Sequence, residues 1–167
     1  LPLDQYKNII EQNDLMNKVD SMARAVVATG FSAGSGYGEV WIRDFNTFIE
    51  LSMDVLEEEL ICRNLDIFFA FQGPTGEVVD GFVDIRKANL GYKYRRSDNA
   101  PEFAAHKNTV ETDQESSLVQ AVYKYVTKSG NRSYLQKELF KKKEKLVEDW
   151  SFGLYGREIA NSTCRRV

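Results

Sequence analysis

Asp113-Gln-Glu-Ser-Ser-Leu-Val-Gln-Ala-Val-Tyr-Lys-Tyr-Val-Thr-Lys-Ser-Gly130 is the stretch whose reading decides the fold class. Its apolar residues Leu118, Val119, Val122, Tyr123 and Val126 recur at steps of three and four, the period of one helix face. Gly130 then supplies the left-handed residue at which helices commonly stop. Lys128-Ser-Gly-Asn-Arg-Ser133 therefore predicts the turn of an α-hairpin, with Asn131 or Ser133 as the next N-cap. A last helix is expected from Ser133 through Leu139 and Leu146 to Trp150.

The same rhythm runs upstream. Tyr6, Ile9, Ile10, Met16, Val19, Met22, Val26 and Val27 predict one amphipathic helix over 3–28, ending near Gly30. A loop with Gly34, Gly36 and Gly38 follows. Phe45, Phe48, Ile49 and Val55 predict a helix over 44–56, and another spans 58–71 until Gly73-Pro74 stops it. Residues 73–110 break the period, and 76–84 alternates loosely enough for a short strand pair. The fold class is mainly α: antiparallel helical hairpins in a single domain over 1–150, a short β element in the 73–95 loop, little sheet elsewhere, and an irregular tail over 151–167. In a hairpin protein alternate helix starts share an end, so those at Asp44 and Asp113 should lie together.

Composition narrows the function classes. A net charge of -3 argues against nucleic acid as a partner. Lys141-Lys-Lys143 alternates with acidic residues and reads as a solvated helix face. No apolar run is long enough for a membrane span. Cys62 and Cys164 make no disulfide framework, and one histidine, His106, makes no multi-histidine zinc site or serine triad; His106 is expected to face solvent, or at most to touch substrate. Gly34-x-Gly36-x-Gly38 lacks the Lys-Ser/Thr of a phosphate loop. No metal or other cofactor is expected. Asn131-Arg-Ser133 and Asn161-Ser-Thr163 fit the short glycosylation triplet. The chain begins Leu1-Pro-Leu3, without a methionine or signal-peptide pattern, and reads as a processed or partial product.

Two polar groups stand at helix starts. Trp41-Ile-Arg-Asp44 puts an indole, a guanidinium and a carboxylate within four residues, a set suited to stacking on a sugar ring and clasping its hydroxyls. Glu111-Thr-Asp-Gln-Glu115 gathers three carboxylates, whose mutual repulsion can tune one of them into a proton donor. Each group also has a purely structural explanation. Acidic residues favour helix N-termini, and Thr112 with Glu115 fits a capping box. Phe31, Tyr37, Phe82, Tyr92, Tyr94 and Phe103, with nearby Asp80, Asp84 and arginines, would suit a ring-stacking groove or ordinary loop packing.

Gly38-Glu-Val-Trp-Ile-Arg-Asp-Phe-Asn46 is similar to the Trp-x-Arg-Asp motif of six-hairpin glycosidases of the glucoamylase type. Val110-Glu-Thr-Asp-Gln-Glu-Ser-Ser-Leu-Val-Gln120, with its helix and Ser129-Gly-Asn131, resembles the next block of such proteins. The resemblance implies part of an α/α toroid and a carbohydrate partner. Trp41, Arg43, Asp44, Asp80, Glu111 and Gln114 would bind substrate, and Asp113 or Glu115 would donate the proton. An inverting reaction also needs a base roughly 6.5–9.5 Å from that acid, and no further acidic helix start follows. The helices fill less than half of such a ring, so a fragment with weak or no hydrolysis is expected, self-associating through open helix faces. The alternative is a non-catalytic helical module that binds carbohydrate or protein.

Overall fold

A computed structural model describes residues 2–32, 38–88, 93–107 and 111–137. It contains helices α1 (Leu3–Glu11), α2 (Asp14–Val27), α3 (Ile42–Ser52), α4 (Glu58–Ala70) and α5 (Gln114–Ser129), and strands β1 (Val40–Trp41), β2 (Gly81–Asp84) and β3 (Phe103–His106). The chain is mainly helical with one small antiparallel sheet.

Polar contacts fix how the central helices run. Asn46 Nδ2 donates to Gln120 Oε1 at 3.1 Å, Lys124 Nζ to the Asn46 carbonyl at 2.6 Å, and Lys128 reaches Asp54 at 2.5 Å. Positions that advance together along α3 and α5 mean parallel helices. Glu58, at the start of α4, meets Tyr125 and Asn131 at the far end of α5, so α4 runs antiparallel to both. The α3–α4 pair is thus the expected hairpin. The starts of α3 and α5 share one end, where Arg43 contacts Asp113.

Beneath the helices lies a row of aromatic rings. Phe31 meets Phe45 at 4.8 Å between centroids, Phe68 meets Phe82 at 5.0 Å, and Phe82 meets Phe103 at 5.3 Å, all edge-to-face. Phe45 and Phe68, 5.9 Å apart, link the two halves. Ile42, Ile49, Ile61, Leu65, Leu118 and Ala121 fill the space around them. Phe31 and Phe82, offered as groove residues by the sequence, are buried core, and Phe103 packs against it; Tyr37 and Tyr92 lie outside the described residues.

Four sequence expectations are corrected. Residues 3–28 form two helices, because Asn13 leaves the helical conformation and its side chain caps α2, accepting from the Leu15 and Met16 amides at 3.0 and 3.2 Å. The strand within 76–84 does not pair with itself. β2 lies between β1 and β3, with Trp41 opposite Gly81 and Gly81 opposite His106, so sheet extends outside 73–95. His106 is correspondingly half-buried rather than solvent-facing. Finally, Asn131 makes no capping bond: its amide donates to Tyr125 Oη and Glu58 instead, and a 3-10 turn over Arg132–Gln136 follows. Gly130 does stop α5 in the left-handed conformation, φ 72°. The remainder of the last expected helix, the basic face at Lys141-Lys-Lys143, the 151–167 tail, Cys164 and the Asn161 triplet lie outside the described residues.

Candidate functional site

The sheet and two helix starts converge on Asp80. Its carbonyl accepts the Ile42 amide at 2.8 Å, and its own amide donates to the His106 carbonyl at 2.8 Å. These bonds tie the entry of α3 to β3. The Asp80 side chain is fully buried, accepts from Gln114 Nε2, and lies 4.0 Å from an Arg43 terminal nitrogen. Gln114, also wholly buried, opens α5. One short acidic residue thereby joins β3, α3 and α5.

Arg43 sits on the first turn of α3 and faces three carboxylates. Asp80, Glu111 and Asp113 all lie within 4.0 Å of one guanidinium nitrogen. Partial burial works against its charge, but the hydrogen bonds and charges of Glu111 and then Asp113 outweigh that cost and hold the guanidinium above its ordinary pKa. The Glu111 and Asp113 side chains remain 39% and 54% exposed, so this side of the cluster is open to water.

A second cation completes the cluster. Lys107 Nζ donates to Gln114 Oε1 and Glu115 Oε1, each at 3.2 Å. The same Glu115 oxygen accepts the Val78 amide at 2.8 Å. Glu115 is thus a brace between α5 and the segment before β2. The capping-box expectation fails here: the N-cap position is Asp113, which makes no capping bond, and Glu115 points across the fold rather than back along the chain. Sequence reasoning passed over Lys107, although it stands seven residues before Gln114 in the same polar stretch.

The structure therefore brings together Arg43, Asp80, Glu111, Asp113, Gln114 and Glu115. Trp41 adjoins them from β1, half-buried and paired with Gly81. Asp44 lies half-buried in the first turn of α3, where the helix dipole favours a negative charge. Among the described residues it makes no hydrogen bond or ion pair. Among the described residues no group of acidic, histidine and cysteine side chains has the arrangement of a metal site, and no helix is long and apolar enough to cross a membrane.

Chemically, the cluster offers acceptors at Glu111 and Asp113 and donors at Arg43, with Trp41 and Asp44 flanking Arg43 in the chain. Comparison with protein-family models, curated proteins and solved structures finds no match.

Proposed function

We propose that the Arg43 cluster is the carbohydrate subsite of a glycoside-hydrolase-like protein. The observation that carries this reading is the gathering of Asp80, Glu111 and Asp113 around one guanidinium, at the shared end of two parallel helices. Sugars are held by planar hydrogen-bonding groups that clasp neighbouring hydroxyls, and by an aromatic face against the ring. Asp44 and the exposed edges of Glu111 and Asp113 supply the first, and Trp41 the second. Asp80 and Gln114 are buried beneath Arg43 and position it. The helix directions agree with a partial α/α toroid, in which α3 and α5 would be successive inner helices and α4 an outer one.

For proton donation Asp113 is better placed than Glu115. Its carboxylate is the more exposed, whereas Glu115 is engaged with Lys107 and the Val78 amide. Hydrolysis by this chain is expected to be weak or absent, because general acid–base catalysis loses roughly 10²–10⁴-fold without its second carboxylate. The internal ion pairs also favour a second reading, a module that binds carbohydrate without cleaving it.

A glycan array of the intact chain beside Trp41→Ala and Asp44→Asn tests binding. Retention of a defined sugar set, lost in both variants, is the expected result, and an array with no retained glycan would sink the reading. A panel of aryl glycosides separates the two versions. Turnover abolished by Asp113→Asn but not by Glu115→Gln marks the enzyme, and its absence alongside binding marks the module.

A further inference from the structure

We infer that α2, extended by α1, is a self-association element that pairs with the same face of a second copy of this chain. Every residue of 2–22 is exposed. Within α2, Leu15, Val19, Met22 and Val26 are spaced four, three and four apart, and all stand more than half exposed. That alternation is the a/d seam of a coiled coil, with β-branched valine at a and Leu or Met, neither branched at Cβ, at d, the combination that favours two strands. In its own register, α1 repeats the spacing at Leu3, Tyr6 and Ile10, which are likewise exposed.

Two physical arguments point to an occupant. Helices of 9 and 14 residues lie near or below the length of about 12–15 residues at which an isolated helix holds its shape in water, so packing must supply the rest. In α2 only Val27 is buried, and α1 buries nothing. A seam facing water would be a standing cost.

Area and charge favour a second copy over an unlike partner. At roughly 100 Å² for each half-exposed large side chain, the seven seam side chains of α1 and α2 offer on the order of 700 Å² per copy; two copies then reach about 1,400 Å², within the range of about 1,200–2,000 Å² of a standard interface. The two helices carry four acidic and three basic residues, so like copies scarcely repel. Lys7 pairs with Glu11 and Arg24 with Asp20 along each helix, Arg24 also reaches Asp54 beyond α3 at 3.8 Å, and none of these residues stands in the seam. A face that is apolar and near neutral is complementary to itself, as a two-fold interface requires.

Sedimentation equilibrium on the 167-residue chain decides the matter. The expected result is a mass that rises with concentration to twice that of one chain. Val19→Asp should hold it at the single-chain mass, while Val119→Ser, on the exposed outer face of α5, should leave the dimer intact. Near-ultraviolet circular dichroism identical among the three proteins shows that the body is folded in each. A parent protein monomeric at every concentration overturns the proposal. So does a dimer that survives Val19→Asp, or one that Val119→Ser abolishes.

Discussion

A carboxylate with none of its side chain exposed needs a fixed donor and a counter-charge in place of lost water, and at Asp80 the Gln114 amide donates while the Arg43 guanidinium, 4.0 Å away, supplies the charge. Removing it strands the buried Gln114 amide and leaves Arg43 with the two solvent-side carboxylates only. Asp80→Ala is therefore expected to destabilise the fold by about 2–4 kcal/mol in urea titration. Asp80→Asn keeps an acceptor for Gln114 and should cost less. At the opposite end, Glu58 is held below the ordinary carboxylate range by the Tyr125 hydroxyl first and the Asn131 amide second. A depressed folded pKa contributes stability above the unfolded value and loses it as pH falls through the folded one. Stability of the parent chain should thus decline on acidification past the usual glutamate range. Tyr125→Phe should flatten that part of the pH profile while lowering stability near neutrality.

Among the elements, β2 shows how closely the backbone sets the site. A methyl group built on Gly81 would meet the Val40 carbonyl oxygen at 2.8 Å and the Trp41 Cα at 3.4 Å. Those are backbone atoms of β1 and cannot swing aside. Gly81→Ala should push β1 off β2, shift the entry of α3, and move Trp41 and Arg43 together. Glycan retention and thermal midpoint should fall in parallel, and an unchanged midpoint would refute the account. The sequence made α3, α4 and α5 legible, because each carries a run of apolar residues at helical spacing with a recognisable stop. It hid the break at Asn13, since the apolar steps of 3–28 continue through it and only the cap separates the helices. It also hid β3: Phe103-Ala-Ala-His106 has no β-branched residue, and its strand state is imposed by pairing with β2. At the site, the two acidic clusters were visible as motifs. Lys107 and the Val78 amide were not, since their partners are set by the tertiary path between β3 and α5.

For the whole molecule, the polar cluster has a kinetic meaning. Its contacts close long stretches of chain: 34 residues separate Asp80 from Gln114, and 70 separate Arg43 from Asp113. Loops of that length are entropically slow to close, so local helices and hairpins form ahead of them. The region proposed to hold sugar is accordingly among the last to take shape during refolding. Substitutions at Arg43 or Asp113 should quicken unfolding while leaving the refolding rate near that of the parent, as stopped-flow chevrons would register. A bound sugar, by closing the same loops from outside, would then act chiefly as a brake on unfolding, and the lifetime of the native state would depend on ligand supply.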